Sequence, residues 1–153
     1  MARVHRISEE FFDDSFGLIA LHSNMECYAL AYNINKAAKI MLERSEDDLE
    51  IETSHYPLFE FKDDINGEEW YLMGNVVQEV EDTSSLGLFE NSTTLKLNYL
   101  LKERKEINYL LKLYPEDTTA VSDAIRAIRT IPKVSMAYEL NPDQLKSKRN
   151  LIF

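Results

Sequence analysis

The chain has 153 residues, about one domain's worth, with 44% hydrophobic side chains and a net charge of −10 from 27 acidic against 17 basic residues. That acidity disfavours nucleic-acid binding, which needs clustered Lys and Arg to displace counterions from phosphates. No stretch approaches the ~20 apolar residues of a membrane-spanning helix.

Met1-Ala2-Arg3-Val4-His5-Arg6 is basic, but Ser8, Glu9 and Glu10 follow in place of an apolar stretch, so the start is not read as a secretory leader. Phe16 to His22 is a short apolar run of strand length. Ser23-Asn24-Met25-Glu26 has the spacing of a capping box. Cys27, Leu30, Ala31 and Ile34 then recur at helical spacing, which predicts a helix from Asn24 to Ala37. Cys27 is also the single cysteine. No internal disulfide can form, which fits a reducing, cytoplasmic setting. Lys39 to Glu43 reads as a second strand or as an extension of the helix.

Glu43 to Glu52 carries six acids and one base and reads as a solvated turn and strand edge. Leu58 to Lys62 and Glu69 to Met73 flank Asn66-Gly67, which predicts a hairpin closed by a type I′ turn. Val76 to Asn91 has no sustained period and predicts a mobile loop with a short strand at its start. Residues 1–12 and 78–94 are the segments expected to be flexible. Leu95 to Glu106 is rich in Lys, Glu and Leu and predicts a short helix.

Ile107, Tyr109, Leu111 and Leu113 are expected on one strand face. Pro115, Glu116 and Asp117 break that strand and favour a helix start. Val121, Ala124, Ile125 and Ile128 form the helix's apolar stripe, and Pro132 stops it. Val134, Met136, Tyr138 and Leu140 alternate as a further strand, ended by Asn141-Pro142, with a tail over 143–153. The pattern predicts a single α+β domain over 1–153. It has a mixed or antiparallel sheet, two β-α-β-like units and both helices on one face, ferredoxin-like or ACT-like in outline.

Leu101-Lys102-Glu103, three residues, then Ile107-Asn108-Tyr109 resembles the motif of the bacterial family named for Ile-Pro-Glu-x3-Val-Asp-Tyr. Glu103 and Tyr109 match, Leu101 and Ile107 are conservative replacements, and Lys102 and Asn108 stand where that family has Pro and Asp. Ile131-Pro132-x-Val134, Ala137-Tyr138-Glu139 and Pro142-x-x-Leu145-Lys146-Ser147-Lys148-x-Asn150-Leu151-Ile152-Phe153 are similar to the same family's C-terminus. Tyr32-x-x-Asn35-Lys36 is similar more loosely. The resemblance implies no assigned activity and supplies no catalytic residue. Asn108 in place of an acid weighs toward a structural role for the motif.

His22, Ser23, Asp13 and Asp14 invite a base–nucleophile reading, but neighbours on a strand-to-helix turn do not aim at each other. His5, His22 and His55 are far apart, and Cys27 lies on an apolar helix face, so no metal set converges. Lys62 to Met73 imitates a calcium loop at Asp64, Asn66 and Gly67, but Lys62 and Met73 occupy the end positions that need ligands. Gly17, Gly67, Gly74 and Gly87 are isolated, so no phosphate-cradling loop exists. No basic residues interleave with Tyr99, Tyr109, Tyr114 and Tyr138 as base stacking requires. No cofactor is implied.

The tail stands out. Lys146, Lys148 and Arg149 precede Leu151-Ile152-Phe153, an apolar end that either packs back on the core or docks on a second molecule. The first expectation is a non-enzymatic protein-interaction or self-associating domain, with a protein partner or a second copy and no membrane. The alternative is a small-metabolite-binding regulatory domain of ACT-like outline, and a third possibility is an enzyme whose site has no recognisable motif.

Overall fold

The computed structural model of the chain describes residues 15–82 and 93–153. In chain order the elements are β1 (Gly17–Ser23), α1 (Cys27–Ala38), β2 (Glu43–Arg44), β3 (Leu49–Ile51), β4 (Ser54–Tyr56), β5 (Leu58–Asp63) and β6 (Glu68–Gly74). They continue as β7 (Val76–Asp82), β8 (Thr93–Tyr99), β9 (Tyr109–Tyr114), α2 (Thr118–Ile128) and β10 (Val134–Leu140), then 3-10 turns at Pro142–Gln144 and Lys148–Leu151.

Six strands form one sheet in the order β10-β1-β9-β6-β5-β2, and every neighbouring pair is antiparallel. β9 and β10 therefore run the same way on either side of β1, and α2 crosses over between them. β1, α1, β6, β9, α2 and β10 make a split βαββαβ core, the ferredoxin-like arrangement. β2 to β5 are inserted before β6, and β7–β8 between β6 and β9.

Both helices lie on one face of the sheet. Leu30, Ala31 and Ile34 of α1 and Val121, Ala124 and Ile128 of α2 bury against Ile19, Leu21, Trp70, Leu72, Leu111 and Leu113. Gly17 lets α2 come close, because a Cβ there would stand 2.5 Å from Val121 Cγ2. The other face holds a second core without helices. Leu18, Ala20, Met73 and Leu110 are covered there by Leu49, Tyr56, Leu100, Leu101, Ile107 and Leu151.

Several local expectations are corrected. α1 begins at Cys27 with Glu26 as an uncapped N-cap, so there is no capping box. The Ser23 hydroxyl instead donates to the Lys133 carbonyl at 3.0 Å and accepts from the Met25 amide at 3.2 Å. Lys39 is left-handed (φ 57°) and ends α1. Asn35 then clamps Leu42 through both backbone groups, so 40–42 are irregular backbone and only Glu43 of the expected strand belongs to one, as the start of β2.

The β5–β6 hairpin forms, but only Gly67 of the Asn-Gly pair has positive φ (68°), which excludes a type I′ turn. The Asp63 carboxylate accepts from the Ile65 and Asn66 amides and shapes a longer loop. Residues 76–82 are a full strand paired with 93–99, so the ends of the segments expected as mobile are ordered ladder, and the Leu95–Glu106 helix is absent. Residues 83–92, and the expected flexible segment 1–12, lie outside the described residues.

Ile107 sits in the second core, away from Tyr109, Leu111 and Leu113. A bulge opposite His22/Ser23 puts Val134 on the helix side, out of step with Tyr138 and Leu140.

Candidate interaction surface

The motif residues Leu101, Glu103, Ile107, Asn108 and Tyr109 are spent on fastening backbone. Leu101 and Ile107 are wholly buried. The loop between them is tied by Asn75, which is itself fully buried. Its Nδ2 donates to the Arg104 and Ile107 carbonyls at 2.9 Å, and its Oδ1 accepts from the Leu101 amide at 2.8 Å. Asn108 Oδ1 accepts from the Ser23 amide at 2.9 Å, closing the end of β1. The Tyr109 hydroxyl donates to the Met25 carbonyl under the start of α1, and burial followed by the nearby Cys27 pushes its phenol up to about 12.

The tail meets this loop. Glu103 accepts from the Ser147 amide at 2.8 Å and its hydroxyl at 2.7 Å, and Asn150 donates to the Leu100 carbonyl at 2.8 Å. Burial raises the Glu103 carboxyl, but the Ser147 hydrogen bonds outweigh it and hold the group below its ordinary value. Leu151 is fully buried.

Lys112, on β9 and wholly buried, donates to the Leu151 carbonyl. The rings of Phe16, Tyr71, Tyr114 and Phe153 surround its ammonium, Phe153 at 3.9 Å. Phe153 also meets Tyr71 edge-on. Lys148 pairs with Asp143 at 2.7 Å. Lys146, Arg149, Ile152 and part of Phe153 remain at the surface.

His22 and Ser23 have different partners. His22 Nε2 lies 2.9 Å from the Tyr138 hydroxyl, which also accepts from Arg104 at 3.0 Å. Arg104 pairs with Glu106 at 2.5 Å, and its hydrogen bond lowers that carboxyl. Asp13 and Asp14 lie outside the described residues. Among the described residues no group of three or more His, Cys, Asp or Glu could hold a metal ion. Nor is any helix among them long and apolar enough to cross a membrane.

The conspicuous exposed surface is on β7–β8. Opposed residues share a face, so Val76, Gln78 and Val80 stand beside Tyr99, Leu97 and Leu95. Val76, Gln78, Val80, Leu95 and Leu97 are uncharged, while Asp82 takes the next position of this face at the far end of the ladder and the Lys105 ammonium lies over the Tyr99 ring at 5.4 Å. Val80 and Leu95 are each 64% exposed, Leu97 47% and Val76 36%. The reverse face bears Glu79, Glu81 and Lys96, and its Val77 leans on the second core, with β4 as the hairpin's main support. Reading 76–91 as a loop with only a short strand at its start, and 95–106 as a helix, hid this surface. The period-2 spacing of Val76 and Val80 against Leu95, Leu97 and Tyr99 was the available signal.

No family model, curated protein or solved structure matches the chain.

Proposed function

We propose that this is a non-enzymatic, self-associating interaction domain whose contact surface is the apolar centre of the β7–β8 face, Val76 and Val80 beside Leu95 and Leu97. The observation that carries it is an apolar two-stranded face turned away from both cores. A two-stranded ribbon is marginal in water without a packing partner, and contiguous exposed apolar area marks an interaction site.

A second copy is the occupant the charges favour. Two chains of net charge −10 repel, and a contact through the apolar centre of this face adds little to that repulsion. A two-fold contact sets one patch on itself, which an uncharged apolar patch tolerates and a one-signed patch does not. Cytoplasmic location belongs to the same proposal, supported by the lone free thiol of Cys27.

Sedimentation equilibrium tests the reading. The wild type is expected as a dimer, and Val80→Asp and Leu95→Asp as folded monomers. A wild type that stays monomeric at high micromolar concentration overturns it.

Membership of the Ile-Pro-Glu-x3-Val-Asp-Tyr family is likewise our proposal. It is supported by the two stretches that carry the resemblance lying against each other, Glu103 on Ser147.

A further inference from the structure

The solvent side of α1 is aromatic and basic. Leu30, Ala31 and Ile34 face the core. On the opposite side Tyr28, Tyr32 and Lys36 follow one another at i, i+4 spacing, and Lys39, the C-cap, comes three residues later. All four side chains are exposed, Tyr28 at 70% and Tyr32 at 63%. The Lys36 ammonium lies 5.5 Å from the centre of the Tyr32 ring, so cation and ring form one patch.

Helix physics accounts for only part of this stripe. Lys36 and Lys39 answer the negative end of the α1 dipole. Neither the dipole nor the core calls for two exposed tyrosines a turn apart. The charge also runs against the rest of the chain, which holds 27 acids while Cys27–Ala38 holds none. A basic stripe on a molecule of net charge −10 draws acids to one place while the remaining surface repels them, so charge fixes where a partner sits. Tyrosine is enriched at binding hot spots, its ring packing on an apolar group while its hydroxyl stays wet.

The charges also choose the occupant. A second copy would have to bring a different, acidic part of its surface onto the stripe, a head-to-tail contact that does not close. A polynucleotide carries a charge on every nucleotide and meets two cations inside an acidic surface. A peptide segment needs only a carboxylate or two beside one large apolar side chain.

We propose that the Tyr28–Tyr32–Lys36–Lys39 stripe docks an acidic segment of another protein, with its carboxylates on the two lysines and an apolar side chain against the two tyrosines. This goes beyond self-association through the hairpin and does not rest on it.

Fluorescence anisotropy of a labelled peptide repeating Asp-Glu-Phe, titrated with the full chain, tests the proposal. The controls are peptides repeating Asn-Gln-Phe and Asp-Glu-Ser, and an oligothymidylate of equal length. Saturable binding is expected with the Asp-Glu-Phe peptide, weakening as salt screens the charges, and about tenfold or more weaker with every control. Tyr28→Ser with Tyr32→Ser, and separately Lys36→Gln with Lys39→Gln, should each weaken it about tenfold. These positions are exposed, so both double variants should fold. Val80→Asp should leave the binding unchanged, which separates the stripe from the hairpin. Absence of saturable binding by the Asp-Glu-Phe peptide overturns the proposal. So does equal binding by any control, unchanged binding in either double variant, or loss of binding in Val80→Asp. A change of assembly mass in the tyrosine double variant would make the stripe a contact between copies, and that too overturns it.

Discussion

Glu103 and Ser147, 44 positions apart, are joined by two hydrogen bonds from the amide and hydroxyl of the serine to the two oxygens of the carboxylate. The pair fastens the motif loop to the tail. Because the folded Glu103 carboxyl is held below its ordinary value, its contribution is fully present above the unfolded value, near ~4.3. It is lost as pH falls through the lower folded value. Glu103→Gln should cost up to about 1 kcal/mol at pH 7, the small figure reflecting its exposure. The gap between the wild-type and variant urea midpoints should close below about pH 4. A gap that persists unchanged at acid pH would show that the carboxylate charge is not what holds the tail.

Asn75 should be far more costly to lose. Its side chain satisfies the Leu101 amide and the Arg104 and Ile107 carbonyls inside the protein. Asn75→Ala strips the Leu101 amide and the Ile107 carbonyl of this partner and leaves the Arg104 carbonyl with the Ile107 amide at 3.3 Å; each buried unpaired group costs about 1–3 kcal/mol, so a loss of at least about 2 kcal/mol is expected. Equilibrium unfolding measures it. A loss under about 1 kcal/mol would mean that the 100–108 loop holds its shape without the knot.

The helix side of the fold was legible because periodicity records it. Val121, Ala124 and Ile128 repeat at helical spacing, as do Leu30, Ala31 and Ile34, and all six are buried. The second core was not, because it is roofed by loops and a tail that carry no period. Leu100, Leu101, Ile107 and Leu151 reach it from irregular backbone, positioned by Asn75 and Asn150. Lys112 was not legible either, since nothing local to a lysine between Leu111 and Leu113 signals burial. The ring cage that buries it comes from Phe16, Tyr71, Tyr114 and Phe153, distant in sequence. As for the candidate surface, the apolar positions of β7 and β8 alternate visibly, but residues 83–92 separate them, too long a stretch for a short-hairpin signal to link the two strands.

Gly17 marks the closest approach of helix to sheet. Gly17→Ala should destabilise by about 1–3 kcal/mol, the usual cost of forcing an extra carbon into a packed site. The conflict is with Val121 Cγ2 alone at under 3 Å, so Val121→Ala should relieve it. The double variant is expected to lose less than the sum of the singles. Strict additivity in denaturant midpoints would place the strain elsewhere.

Cys27 follows from burial. It lies in the first turn of α1, where a helix dipole favours thiolate, yet desolvation dominates and pushes the thiol up to about 12. At pH 8 its alkylation by iodoacetamide should be at least about tenfold slower than that of a free thiol, and should recover in denaturant. Fast labelling of the native chain would mean that the α1 start is open to solvent.

The tail and the hairpin should separate as structural and associative elements. Phe153 is half-exposed but covers the Lys112 ammonium at 3.9 Å and meets Tyr71 edge-on. Phe153→Ala should therefore lower stability by about 1–2 kcal/mol, from lost apolar burial and a lost cation–π contact. The assembly mass should not change, because Leu151 still seals the core. Val80→Asp should do the reverse, halving the mass with stability of the monomer within about 0.5 kcal/mol, since Val80 touches neither core. Light scattering and thermal unfolding of both variants decide between the two surfaces. If Phe153→Ala dissociates the assembly and Val80→Asp leaves it intact, the tail carries the contact and the hairpin does not.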